Sequence, residues 1–195
     1  MRVNFARRML ERNDEAALDE LLKIEELTRK ATGELRQILF TLQPLVLESK
    51  GLAAALKAMA EKMGETYNQT VIVDADHEAT TRLEMVKQEE AFYIAEEAVN
   101  NARQHANAEH VWIRLKAIEN DIAMLEIEDD GMGFEPGSAN LSNEHRGSSG
   151  LVNMRARAEL MDGVLNIDSA EGRGTRVRLL IPLTDEARQQ LRRRQ

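Results

Sequence analysis

Along the second half of this chain the apolar residues change period, and that change restricts the fold more than any other feature. Over 84–106, Phe92, Ala95, Val99, Ala102 and Ala106 recur at helical spacing and predict a long helix with one buried stripe. Val111-Trp112-Ile113-Arg114-Leu115 and Ala123-Met124-Leu125-Glu126-Ile127 then alternate as strands around a turn at Glu119-Asn120-Asp121. A loop rich in Gly, Ser and Asn spans 131–150, a helix is predicted over 151–161, and two strands follow at 164–169 and 175–182, joined at Glu171-Gly172-Arg173-Gly174. Upstream, the β-branched run Thr70-Val71-Ile72-Val73-Asp74 reads as a short strand. Before it comes a helix over 52–63, opened by Gly51, with Leu52, Leu56, Met59 and Met63 on one face. Helices of one-sided hydrophobicity must cover one face of a mixed sheet, so the expected class is an α+β sandwich.

The first 48 residues differ in kind. Leu18, Leu21, Ile24, Ala31, Leu35, Ile38, Leu42 and Leu45 stand three, four or seven apart, the seam of a long amphipathic helix that Asp14 would cap. Residues 3–10 read as the tail of a preceding helix, so 1–48 is expected to be a lopsided helical hairpin with its seam open to a partner. Pro44 marks a kink or stop, and 185–195 reads as a frayed basic tail. Three segments are thus expected: 1–48, 49–184 and 185–195.

Composition removes several functions. Against 34 acidic residues stand 26 basic ones, a net charge of −8, which is poor equipment for neutralising a polyphosphate backbone and speaks against nucleic-acid binding. There is no cysteine, so thiol catalysis, thiolate zinc sites and disulfide scaffolds are excluded together. No uncharged run is long enough to span a bilayer and no leader peptide is legible, which leads to the expectation of a cytoplasmic chain, any membrane tether lying in regions N-terminal to it.

Three clusters carry chemistry. Glu97, Asn101 and His105 stand four apart on one helical face, where an amide oxygen suits hard Mg²⁺ and the neighbours suit phosphate oxygens; Ala98, Val99 and Ala102 would turn to the core. A solvated helix face is the plainer reading, though paired asparagines are poor helix formers. Next, Asp129-Asp130-Gly131-Met132-Gly133 closes a strand: a carboxylate that can accept from an exocyclic amine, followed by two glycines that let the backbone approach a flat ligand, or else an acidic turn. Last, Arg146-Gly147-Ser148-Ser149-Gly150-Leu151 precedes a helix, whose free N-terminal amides would favour an anion; a flexible cap is the alternative.

Asn101, then Asp129-x-Gly131-x-Gly133, then Gly147-x-x-Gly150-Leu151, then Gly172-x-Gly174-Thr175 follow one another in the order and at roughly the spacings of the N, G1 and G2 boxes. Residues 51–183 therefore resemble the Bergerat-type ATP-binding fold shared by gyrase, the chaperone ATPases, sensor histidine kinases and MutL. Glu34-Leu35-Arg36-Gln37 through Pro44, with the junction to Leu56, is similar to the dimerisation helix of histidine kinases that pair with helix-turn-helix response regulators.

The resemblance implies cofactors and roles. ATP and Mg²⁺ would be bound, with Asn101 on the metal, Asp129 on the adenine amine, and Gly131 and Gly133 admitting the base. Residues 146–151, with Gly147, Gly150 and Leu151, would form a lid over the phosphates; His105 would face the phosphates and Thr175 the base. Glu97 would orient the attacking group or a metal-bound water. The implied reaction passes the ATP γ-phosphate to a histidine on an upstream helix and then to an aspartate of a response regulator, in a dimer built through the hairpin. The four histidines are His77, His105, His110 and His145, none in 1–48, where the family's H-D-x-x-x-Q acceptor would stand. Met1 is accordingly expected to open a fragment of a longer kinase that binds MgATP without autophosphorylating; His77, His110 and His145 are read as solvated. The alternative reading is a regulator or anti-sigma-type kinase of the same fold acting on a partner in trans.

Overall fold

The computed structural model describes residue 23 and residues 44–118, 121–135 and 148–193. The chain divides between Gln43 and Pro44. Of the hairpin expected over 1–48, only Lys23, which is helical and exposed, and residues 44–48, which open a helix of the second unit, are among the described residues.

The unit from Pro44 onward is built on a five-stranded sheet in the order β1-β2-β3-β5-β4. The strands are β1 (Thr70–Ala75), β2 (His110–Ile118), β3 (Ile122–Asp129), β4 (Val164–Ser169) and β5 (Thr175–Pro182). Only β1 and β2 run parallel; the other pairings are antiparallel. The helices are α1 (Pro44–Tyr67), α2 (His77–Arg82), α3 (Met85–Asn101), α4 (Ser148–Leu160) and α5 (Asp185–Arg192). The mixed sheet and its helices are the expected α+β architecture.

Strand alternation sorts the side chains. Val111, Ile113 and Leu115 of β2, Ala123, Leu125 and Ile127 of β3, and Val177, Leu179 and Ile181 of β5 are buried on one face against Leu52, Leu56, Ile94, Val99 and Met154 of the helices. Burial of each such aliphatic side chain contributes about 1.5–3 kcal/mol relative to exposure. The intervening residues face the other way, where Glu126 accepts from Arg114 at 2.9 Å and from Arg178 Nη2 at 2.6 Å, and Glu128 accepts from Arg114 and Arg176. Burial works to raise the Glu126 carboxyl, but the Arg178 and Arg114 hydrogen bonds outweigh it and hold it below the usual range.

Four expectations change. The helix predicted over 52–63 is part of a longer one that includes Pro44 and continues to Tyr67, kinked at Gly51 (φ 78°, ψ 176°). At the kink the freed N–H of Leu52 donates to Gln88 Oε1 at 2.8 Å, while Gln88 Nε2 donates to the carbonyls of Thr80 and Leu83. His77 is the first residue of a short helix rather than part of a loop; Asp76 caps it by accepting from Glu78 N–H. The helix predicted over 84–106 is α-helical only to Asn101, and Ala102–Ala106 form a π-helical turn ended by Asn107 in the left-handed region (φ 51°). Residues 185–192 are not a frayed tail: Thr184 caps α5, and Ala187 and Leu191 pack on Ile122, Val164 and Leu180. Among the described residues no helix is long and apolar enough to cross a membrane.

Candidate functional site

The π-helical turn places one end of the site. Because its repeat is wider than an α-turn, the end of α3 swings over the residues that follow β3, and Met132 N–H donates to Ala106 O at 2.8 Å. Gly131 lies under this contact: a Cβ there would stand 2.5 Å from both Ala106 Cβ and Ala106 O, so no side chain fits. Gly133 follows at φ 63°, with its missing Cβ directed at the Ala170 carbonyl. Both glycines are thus fixed by close packing of chain on chain.

Between α3, the π-helical turn, α4 and the ends of β3, β4 and β5 lies a cavity of about 280 Å³. Asn101, His105, Asp129, Gly133, Leu151 and Thr175, all singled out from the sequence, line it together. Its remaining wall is apolar: Ala98, Ala102, Ala106, Ile127, Phe134, Met154, Ile167 and Val177. A slot with apolar walls and a few polar groups suits a flat, partly polar ligand. Ala98 and Ala102, expected to turn toward the core, are buried in it and also form one side of this slot.

Asp129 closes β3 and pairs in register with Thr175 of β5. Its Oδ1 accepts from Gly131 N–H at 2.9 Å. Burial pushes the Asp129 carboxyl above the ordinary aspartate value, and the backbone N–H groups of Gly131 and Thr175 pull it only part of the way back. A desolvated carboxylate held by backbone donors is poised to take one more donor from a ligand. Thr175 Oγ1 lies 3.0 Å from Ser169 Oγ, which accepts from Phe134 N–H at 2.9 Å and so ties the glycine segment to β4.

Other sequence-singled residues lie beside the cavity. The Glu97 carboxylate packs against Gly150 in the first turn of α4, where a methyl group would collide with it. His105 is exposed and Asn101 half-buried. Arg146, Gly147 and His145 lie outside the described residues. Asp130 accepts from Glu109 N–H at 2.8 Å and His110 N–H at 2.9 Å and pairs with His110 Nδ1, so His110 is engaged rather than solvated. Arg103 turns from the cavity wall to stack over Tyr67 at 4.2 Å. The residues missed from the sequence are the apolar wall, with Phe134 and Met154 foremost. The one available signal was position: Phe134 directly follows Gly133, and Met154 stands one turn beyond Gly150.

A model of the family described as "Histidine kinase-, DNA gyrase B-, and HSP90-like ATPase" matches residues 86–185, just over half of the chain. The chain belongs to this ATPase family. The matched stretch opens in α3 and closes at the start of α5, so it holds every described cavity residue. An uncharacterized sensor-like histidine kinase of Chloroflexus aurantiacus is 34% identical over 184 residues, 94% of this chain and 31% of its own length. The oxygen sensor histidine kinase NreB of Staphylococcus carnosus is 31% identical over 169 residues, 86% of this chain and 47% of its own. The chain thus spans about a third to a half of the length of these relatives. Among solved structures, the histidine kinase domain of the Erythrobacter litoralis EL346 blue-light activated histidine kinase superposes with a TM-score of 0.56 at 24% identity, covering 70% of this chain and 67% of that one, which supports the ATPase-domain fold.

Proposed function

We propose that residues 44–195 are the catalytic domain of a two-component sensor histidine kinase, holding MgATP for transfer of its γ-phosphate to a histidine and from there to an aspartate of a response regulator. The observation that carries this reading is the convergence of Asp129, Asn101 and Thr175, far apart in sequence, on one apolar slot beside the first turn of α4. The ionised Asp129 accepts the adenine amine at the closed end, with Gly133 and Thr175 beside the base. Asn101 and His105, on the α3 side of the slot, would face the phosphates, with Leu151 on the opposite wall and Gly150 in the first turn of α4; Gly147 is proposed to contribute to the phosphate site. Glu97, beside Asn101, orients the attacking group.

The donor set fits magnesium. Among the described residues no three His, Asp or Glu side chains gather into a metal cage. Mg²⁺ is commonly held by one or two protein oxygens together with waters and substrate phosphates, and Asn101 supplies such an oxygen. Bound there, the ion would neutralise charge on the transferring phosphoryl group. The protein's own part is positioning: the slot fixes the base, and the fixed base sets where the γ-phosphate emerges. No histidine lies in residues 1–76, so on this reading the phosphoacceptor is not among those residues. The segment before Pro44 is the proposed dimerisation element, and the response regulator the proposed partner.

Calorimetric titration tests this. Wild type is expected to bind MgATP at micromolar to millimolar Kd, about 4–8 kcal/mol. Asp129→Asn should lose about tenfold or more in affinity for adenine nucleotides. Asn101→Ala should remove the magnesium dependence. Wild-type affinity should weaken as pH falls through the raised Asp129 pKa, since the protonated carboxyl accepts less well. No adenine-nucleotide binding in Mg²⁺, or equal affinity in all three proteins, refutes the reading.

A further inference from the structure

The wall of the slot contributed by α4 packs on the core through Leu151, Met154 and Ala158. The face of α4 turned to α3 and the sheet carries Gly150, Met154 and Ala158, all buried. Glycine and alanine present little relief for ridges to grip and methionine is a flexible filler, so a stripe of these residues holds the rotation and slide of α4 along α3 less firmly than larger branched side chains would. Among the described residues a directional contact adds to that packing. Arg157 Nη1 donates to Glu90 Oε2 at 2.7 Å, and the same guanidinium lies over the Tyr93 ring at 4.5 Å from its centroid. Glu90 and Tyr93 stand three apart on α3, so one planar cation is gripped by an anion and a ring on a single helical face. The Glu90 side chain is only 17% exposed and that of Arg157 37%, which strengthens the pair relative to an open surface bridge.

We infer that Arg157 is a positioning residue for nucleotide binding: clamped by Glu90 and Tyr93, it sets the register of α4 so that Leu151 and Met154 form the cavity wall and Gly150 meets Glu97. Arg157 stands one turn from Met154, about 4.5 Å along the axis, and itself lines no part of the slot. Its effect on the ligand passes through the helix. The inference rests on the nucleotide reading of the cavity and names what keeps that cavity in shape.

The test uses the full chain and four proteins: wild type, Arg157→Met, Glu90→Arg, and the reciprocal pair Glu90→Arg with Arg157→Glu. MgATP affinity is measured by calorimetry, and the Met154 methyl resonance is followed in nucleotide-free protein. Each single variant is expected to bind MgATP about tenfold more weakly and to shift the Met154 methyl. The reciprocal pair restores opposite charges across the gap but puts an anion over Tyr93, so it should recover part, not all, of the affinity lost in Glu90→Arg and move the methyl part of the way back. A merely structural role would lower stability while leaving the Met154 methyl and the MgATP affinity of the folded protein unmoved. Unchanged affinity in Arg157→Met, an unmoved Met154 methyl, or no recovery in the reciprocal pair overturns the inference while leaving the nucleotide site intact. Absence of binding by wild type overturns the nucleotide reading itself, and the inference with it.

Discussion

Glu96 and Glu97 are neighbours in the chain with different surroundings. Glu97 lies against Gly150 beside the slot, whereas Glu96 is largely withdrawn from water, within electrostatic reach of Lys62 on α1 and Arg157 on α4. Burial, reinforced by the Glu97 charge, pushes the Glu96 carboxyl up to about 7 against the attraction of Lys62 and Arg157. The folded protein therefore keeps a proton that the unfolded chain releases near pH 4.5, and stability falls as pH rises from about 4.5 to about 7. Above that window the cost is complete. Glu96→Gln removes it, so the variant should be more stable than wild type at pH 8 by about 1–2 kcal/mol, the full conversion of the shift being discounted for residual solvent access. The gain should vanish near pH 4. Urea unfolding at the two pH values measures this, and a difference independent of pH contradicts it. Asp129 is perturbed in the same direction and lines the cavity, so on the proposed reading its desolvation is a stability cost tied to binding.

Two elements show how local signals can be outvoted. In sequence the C-terminal segment resembles a frayed tail, because Arg188, Arg192, Arg193 and Arg194 dominate it. The helix signals were nonetheless present: Thr184 as cap, Asp185 and Glu186 in the first turn, and Ala187 and Leu191 four apart. Arg188 and Arg192 both reach Asp162, so the basic residues tie the helix down as well as solvating it. Leu191→Asp would place an unpaired charge in the small cluster formed with Ile122, Ala187, Val164 and Leu180, at an expected cost of about 2–4 kcal/mol. Those strand residues alternate with the ones facing the slot, so nucleotide affinity should stay within about twofold of wild type. Chemical denaturation with calorimetry checks both; unchanged stability, or lost affinity in folded protein, contradicts the assignment of α5 to the far face. The π-helical turn is the opposite case, since one residue more per turn leaves no mark on composition. Periodicity ran the helix straight through to Ala106, and only the tertiary contacts of Ala106 with Gly131 and Met132 show why it widens.

At the scale of the molecule, strands were legible to within a few residues because alternation is enforced by a sheet with one buried face: 164–169 and 175–182 coincide with β4 and β5. The polar members of the site were legible as well, because Asn101, Asp129 and the glycines are residue types that a helix, a strand end and a loop do not otherwise favour. Its apolar lining was not, since Ile127, Met154, Ile167 and Val177 look like any core residue until topology leaves a gap between them. Helix α2, six residues long, was too short for periodicity to register. The central claim concerns that gap: separate segments of one sheet and two helices enclose an adenine nucleotide. Amide and methyl NMR during titration with a nonhydrolysable ATP analogue and Mg²⁺ tests it most directly. The account predicts saturable shifts concentrated at Asn101, Gly131, Gly133, Leu151, Met154 and Thr175, with the outer-face residues Arg178 and Leu191 still. Shifts confined to the outer face, or no shifts at millimolar nucleotide, would contradict it.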